Sequence, residues 1–287
     1  MIETISELAP LRDRVRDWKR AGLRVGFVPT MGNLHAGHQS LVRLARKHAD
    51  RVVTSVFVNP TQFGPGEDFE RYPRTVGADI AALEDAGADA LWLPSVETMY
   101  PHGMDGVVEI RVPGVTGVLE GAHRPGHFDG VSTVVARLFN QVQADVAVFG
   151  RKDYQQLAVI RYMVRDLAFP VELVAAPILR EDDGLAMSSR NQYLSATDRP
   201  VAPLIHRALQ TLRDAVVAGA SLSREEGAAA AALTAAGFAV DYVAIRHPDL
   251  SQPDLSQPGK DACGPLVALV AARLGNTRLI DNLEFER

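Results

Sequence analysis

A doubly wound parallel α/β sheet followed by a smaller α+β domain is the fold class this sequence predicts, on three observations. Short β-branched runs alternate with helical patterns over residues 1–178, the rhythm of strand–helix–strand units. After Ile178 the texture changes, and LREDDGLAMSSRNQYLSATDRP is polar and loop-like. A long helical stretch and three β-like runs then close the chain. The expected domains are therefore 1–178 and 179–287, and 287 residues are enough for two hydrophobic cores.

The elements follow in order. MIETISELAPLRDRVRDW is peppered with acids and reads as an amphipathic helix, without the apolar core or cleavage site of an export signal. LRVGFVP (23–29) reads as a strand, and QSLVRLARKHA (39–49) as a helix with Leu41, Leu44, Ala45 and His48 on one face. RVVTSVFV (51–58) is a buried strand. A helix presenting Ile80, Leu83 and Ala86 leads to the strand ADALWLP (88–94). VSTVVARLFNQV (131–142) has its apolar residues at helical spacing. DVAVFG (145–150), a helix from Asp153 to Ala168, and VELVAAPI (171–178) complete the first domain. In the second, a helix is expected from about Pro200 to Val217 and another opened by a capping box of Ser223 and Glu226. Strands are expected over 239–245, 265–275 and 277–285, with the tandem PDLSQPDLSQPGKDACG as a surface loop between the first two.

Composition narrows the function. Hydrophobic residues make up 47% and charged residues 23%, ordinary for a globular enzyme. A net charge of −5 gives no basic face for nucleic acid. Cys263 is the only cysteine, so no internal disulfide framework and no CxxC metal site is expected. No run approaches a membrane span. The expectation is a cytoplasmic protein with no membrane and no nucleic-acid partner.

The chemistry gathers where strands end, because doubly wound sheets bind ligands beyond the carboxyl ends of their strands. GFVPTMGNLHAGHQSLV passes from strand to helix and carries His35 and His38 among three glycines. A helix amino terminus offers free N–H groups and a favourable dipole to an anion, and imidazoles there add donors. The residue types alone also allow core packing or a two-histidine metal pair, although zinc would need further ligands and the cysteine is remote. The sequence strand, Pro, Gly, His-x-x-His, helix favours the anion site.

MGNLHAGH resembles the HIGH signature of the nucleotidyltransferase superfamily. Seven ordered blocks resemble the pantothenate synthetase family within it: GFVPTMGNLHAGH, SVFVNPTQF, RYPRT, LEGAHRPGHFDGV, FGRKDYQQ, DGLAMSSRNQYL and AARLGNTRLIDN. They cover nearly the whole chain. The resemblance implies a Rossmann-like nucleotidyltransferase core with a C-terminal lid domain. It implies an ATP-dependent ligase that joins pantoate to β-alanine through a pantoyl adenylate, releasing AMP and pyrophosphate.

By the same resemblance His35 and His38 contact the ATP phosphates, and Met31 lines the pocket. Lys152 meets the phosphate charge, although a lysine after a strand is also an ordinary solvated residue. Gly150 and Asp153 hold the ribose hydroxyls, with helix capping by Asp153 as the rival. Ser188, Ser189 and Arg190 clamp phosphates from a flexible loop that otherwise reads as a turn. Gln62 and Gln156 bind pantoate, with Asn59 beside them. The catalytic set implied is His35, His38, Lys152 and Arg190, in a homodimer.

HRPGHFDG, with Arg124, His127 and Phe128, matches a family block without an assignable role. One departure concerns Mg²⁺, which the family uses with ATP. After RYPRT the family often carries several acids, whereas VGADIAAL retains Asp79 alone, leaving it as the candidate metal ligand with Ala78 and Ala82 beside it. Arg151 stands where an acid is common. Two further readings stay open: a sister nucleotidyltransferase with a phosphorylated or tRNA-like acceptor, and a protein that binds ATP only as a regulator.

Overall fold

The computed structural model describes residues 2–253 and 264–287, so Cys263 and most of the second PDLSQ copy lie outside the described residues. The chain divides into two compact units, Met1–Arg151 with Gln156–Pro177, and Lys152–Gln155 with Ile178–Arg287. The four residues after Arg151, read in the sequence as part of the first domain, thus group with the second unit.

The first unit runs β1 (Glu3–Ile5), α1 (Leu8–Arg20), β2 (Val25–Thr30), α2 (Ala36–His48), β3 (Arg51–Val56), α3 (Val76–Ala86), β4 (Ala90–Trp92), α4 (Val96–Met99), α5 (Glu120–His123), α6 (His127–Val142), β5 (Val146–Gly150), α7 (Tyr154–Asp166, its first two residues belonging to the second unit) and β6 (Glu172–Ala176). The six strands form one sheet in the order β1-β4-β3-β2-β5-β6, every pairing parallel.

Both faces of this sheet are buried, which is why its strands read as apolar runs rather than alternating ones. Phe27, Val53, Trp92 and Ala147 face a core shared with α1 and α6, while Val28, Val52, Leu91 and Val148 face one shared with α2 and α3. The strand order reverses beside β2, where a doubly wound sheet opens a crevice. All of β2 pairs with β3, but only Gly26 and Phe27 pair with β5. Pro29, which has no N–H to give a ladder, sits past the point where β2 and β5 part.

Glu3–Ile5 departs from the sequence reading. Three residues are too few for a period to show, and they join the sheet edge as a strand beside β4, with α1 starting only at Leu8. No helix among the described residues is long and apolar enough to cross a membrane.

The second unit contains α8 (Leu204–Val217), α9 (Leu222–Ala235), β7 (Ala239–Arg246), β8 (Pro265–Leu274) and β9 (Thr277–Glu286). The strands make an antiparallel sheet in the order β7-β8-β9. Ile205, Leu209, Leu212 and Val216 of α8 share a core with Leu222 and Leu233 of α9 and with alternate residues of β8. α8 starts at Leu204 rather than Pro200, after a series of turns that contains both Pro200 and Pro203. The expected capping box is absent: Ser221 is the residue before α9, and the Glu226 carboxylate accepts the Ile245 N–H of β7 at 2.6 Å. The first PDLSQ copy forms a turn after β7, closed by Leu250 N–H to the His247 carbonyl at 2.9 Å.

Candidate active site

The turn leaving β2 is built on backbone that few residues adopt. Gly32 has φ +83° and Asn33 φ +51°, two left-handed residues in succession. A Cβ at residue 32 would lie 3.0 Å from both Asp79 Oδ2 and Val56 Cγ1, so only glycine fits without a shift. The Asp79 carboxylate accepts the Leu34 N–H at 2.8 Å and the Asn33 N–H at 3.2 Å, and the Thr75 hydroxyl reaches both its oxygens at 3.3 Å.

His35 follows as the residue that caps α2, in extended conformation. Its Nδ1 accepts the Gly37 N–H at 3.1 Å, and the His35 N–H donates to His38 Nδ1 at 3.3 Å. The two rings therefore cap the helix reciprocally, with centroids 4.1 Å apart. A ring whose Nδ1 accepts carries its proton on Nε2 when neutral. Both imidazoles are thus held as Nε2–H donors at a positive helix end whose first turn contains no acid.

Beyond β3 lies an amide cluster on a 3-10 turn, Pro60–Gln62. Asn59 is 1% exposed, and its Oδ1 takes the Tyr100 hydroxyl at 2.5 Å and the Thr61 hydroxyl at 3.1 Å. Its Nδ2 donates to Gln62 Oε1 at 3.2 Å and to the Gly130 carbonyl at 3.3 Å. Asn59 is spent on orienting Gln62. Gln62 Nε2 in turn lies 3.1 Å from Met31 Sδ, so the expected Met31, Asn59 and Gln62 stand together.

A second network holds the same turn from below. Arg124 grips Glu67 through two hydrogen bonds of 2.8 and 2.6 Å, and its Nη1 lies 3.0 Å from His127 Nε2. A guanidinium only donates, so His127 Nε2 accepts and Nδ1–H donates to the Gln62 carbonyl at 2.8 Å. Burial first, then the Arg124 charge, push the His127 pKa down to about 4. Burial works to raise Glu67, but the Arg124 hydrogen bonds and charge win and hold it below the usual carboxylate range.

Gly130 lets α6 approach: a Cβ there would sit 2.4 Å from the Thr61 carbonyl oxygen and 2.8 Å from Gln62 Cα. Tyr100 and Glu67 escaped the sequence reading, while Gly130 closes the HRPGHFDG block. The HRPGHFDG block was visible, and its glycines were the signal of a close backbone approach.

In the second unit Lys152 is partly buried, with Nζ 3.7 Å from Asp153 Oδ1, and its carbonyl accepts Asn282 Nδ2 at 2.9 Å. Asp153 is exposed. Ser188 caps a 3-10 turn, Ser189–Tyr193, by accepting the Arg190 N–H at 3.2 Å. The segment expected as a flexible loop is braced. Asn191 donates to Glu181 at 2.9 Å and to the Ala186 carbonyl at 3.1 Å, and Arg180 pairs with Asp281 through bonds of 2.7 and 3.0 Å. Burial tends to raise Asp281, but His206 and Arg180 outweigh it and lower the carboxyl below its ordinary range. In the first unit Gly150 ends β5, and Gln156 lies partly buried in the first turn of α7.

Residues 3–284 match the family model described as pantoate-beta-alanine ligase. The chain belongs to that family. A pantothenate synthetase from Xanthomonas campestris pv. campestris is 66% identical over 99% of this chain and all of its own length. Another from Stenotrophomonas maltophilia is 64% identical over the same shares. Among solved structures, a pantothenate synthetase of Thermus thermophilus is 50% identical with a TM-score of 0.87, covering 98% of this chain and 99% of that one. The pantoate-beta-alanine ligase of Francisella tularensis, complexed with beta-gamma ATP and beta-alanine, is 30% identical with a TM-score of 0.80, covering 99% and 97%.

In a pantoate–beta-alanine ligase with one acid left after RYPRT, the expectation of a protein metal ligand fell on Asp79. The geometry does not fit it. Asp79 is 1% exposed, and each carboxylate oxygen already accepts a backbone N–H and the Thr75 hydroxyl. A hard cation needs oxygen lone pairs open to it. Among the described residues no three His, Cys, Asp or Glu side chains gather where they could hold a metal ion.

Proposed function

We propose that this chain condenses pantoate with β-alanine at the expense of ATP. A pantoate carboxylate oxygen bonds to the α-phosphorus as the bond to the bridging oxygen breaks and pyrophosphate leaves. The β-alanine amine then attacks the acyl carbon of the adenylate and expels AMP, giving pantothenate. Mg²⁺ belongs to this reading as the companion of ATP, carried by the phosphates as part of the substrate.

The observation that carries the reading is the double-histidine helix terminus beyond β2, coupled through Met31 to the amide of Gln62 beyond β3. The first is a donor site for phosphate oxygens. The second is an uncharged amide suited to hydroxyls and a carboxylate. A carboxylate is already a nucleophile, so the first step needs positioning and charge stabilisation rather than a base. His35 and His38 take the phosphates in the first unit, with Gly150 at the ribose and Gln62 and Gln156 at pantoate. In the second unit Lys152, Ser188, Ser189 and Arg190 are the phosphate contacts, and Asp153 meets the ribose. Use of ATP supports a cytoplasmic setting, and the family resemblance supports a homodimer; sedimentation tests the latter.

AMP and pyrophosphate are to be measured from Mg-ATP with pantoate and β-alanine added singly and together. AMP release that requires both acids, with pantothenate formed, is expected. ATP binding without turnover in any combination would favour the regulatory reading. Lys152→Ala is expected to slow adenylate formation about 100-fold or more, the scale of one lost charge-stabilising donor.

A further inference from the structure

We infer that Asp79 is a positioning residue for this reaction: from the first turn of α3 it sets the Gly32–Leu34 turn, and through that turn the reciprocal cap that fixes His35 and His38. The inference rests on the reading of those histidines as phosphate contacts.

The chain of contacts is short and continuous. Asn33 is a non-glycine residue at φ +51°, a conformation that persists when the surroundings overdetermine it. Asp79 supplies that surrounding by receiving the N–H groups of Asn33 and Leu34. Leu34 is followed directly by His35, whose own N–H must point at His38 Nδ1 for the cap to close. The carboxylate is itself fixed, because the Thr75 hydroxyl bonds both oxygens and the Asp79 N–H donates to the Thr75 carbonyl at 2.9 Å. α3 is a stable platform for α2: Gln39 Nε2 donates to the Ala82 carbonyl at 3.2 Å, and Leu83 and Ala86 share a core with Val42 and Ala45. A residue that looked from the sequence like the remnant of a metal site is the anchor of the catalytic turn.

The test uses the full-length protein with Asp79→Asn and Asp79→Ala. Long-range ¹H–¹⁵N spectra of the ligand-free protein report which nitrogen of each imidazole is protonated, and adenylate formation is followed against ATP and against free Mg²⁺. Asp79→Ala is expected to move the His35 and His38 signals away from the Nε2–H pattern. It should lower kcat about 100-fold, the scale of a small misplacement of reacting groups, while the half-saturating Mg²⁺ concentration stays within about twofold, as expected for a residue that does not ligate the ion.

Asp79→Asn keeps an acceptor for the Leu34 N–H and is expected to stay within about tenfold of the parent rate, the size of one altered hydrogen bond. Asparagine also carries the test if alanine does not fold, since a neutral amide serves the turn but is a poor Mg²⁺ ligand. A half-saturating Mg²⁺ concentration raised about tenfold or more, with the imidazole spectra unchanged, would overturn the inference in favour of a metal ligand. So would an unchanged rate in Asp79→Ala. If instead His35→Ala and His38→Ala leave adenylation intact while Asp79→Ala still moves the imidazole signals, the phosphate reading falls and the placement of the histidines by Asp79 stands.

Discussion

Two corners of the first unit set histidine beside glycine and use the imidazole in opposite ways. At the start of α2, backbone amides from the cap claim Nδ1 of both His35 and His38, directly or reciprocally, and the proton is left on Nε2. At the start of α6, His127 is gripped on both sides, by Arg124 at one nitrogen and the Gln62 carbonyl at the other. The first arrangement sets the tautomer of two rings at a helix terminus. The second consumes the ring entirely in holding a turn. What differs between the two corners is the partner that meets Nδ1, a backbone N–H in one and a backbone carbonyl in the other, not the motif around it.

The sharpest way to break this comparison is to remove the first pair. Together, His35→Ala and His38→Ala should slow AMP release about 10²–10³-fold, the scale of lost transition-state donors, while the lost cap costs only about 1 kcal/mol of stability. Thermal unfolding beside turnover checks both. A large fall in Tm would mean that these rings, too, are structural.

Gly130→Ala comes next, because its Cβ would meet backbone rather than a yielding side-chain tip. A cost of about 1–3 kcal/mol is expected, with a raised KM for pantoate and little change in KM for ATP. Arg124→Met should leave Glu67 without its charged partner and His127 Nε2 without a donor, costing about 1–3 kcal/mol of stability as read by denaturant unfolding. Its effect on KM for pantoate should exceed its effect on adenylation at saturation.

The smallest effect is the pH dependence of stability. The folded pKa of His127, about 4, lies below its ordinary 6.5. Its contribution is therefore complete above about pH 6.5 and is lost as pH falls toward about 4. Between pH 7 and 5.5 this amounts to about 1 kcal/mol. His127→Gln should flatten that slope, and an unflattened slope would assign the titration to another group.

How much of this was legible in the sequence depended on whether the signal was local. β2, β3 and β5 declared themselves because both faces of each are buried, leaving unbroken apolar runs. β1 did not, since three residues carry no period. Ser223 and Glu226 had the spacing of a capping box, but the Ile245 N–H of β7 captures the glutamate, and spacing cannot foresee a tertiary competitor.

In the site, Met31, His35, His38 and Gln62 stood in two compact blocks. Tyr100 and Glu67 among their supports did not, and like Gly130 they act on partners that are 41, 57 and 71 residues away. Asp79 was seen, but the hydrogen bonds it makes were not, since its partners Asn33 and Leu34 lie 46 and 45 residues earlier in the chain. A carboxylate among alanines looks like a surviving ligand until the turn it holds is folded beside it.

The four residues Lys152–Gln155 follow β5 in the chain but belong to the unit completed by β9. The Lys152 carbonyl is held by Asn282, and the Tyr154 hydroxyl lies 3.3 Å from the Glu284 carboxylate, both on the last strand. A growing polypeptide therefore makes its lysine early and can seat it only when translation is all but finished. Truncation before β9 would remove the Asn282 and Glu284 contacts of that segment while leaving the histidine cap encoded far upstream. A prematurely ended chain would then carry Lys152 without the strand that holds its backbone, so some of the last residues made decide whether that lysine is seated.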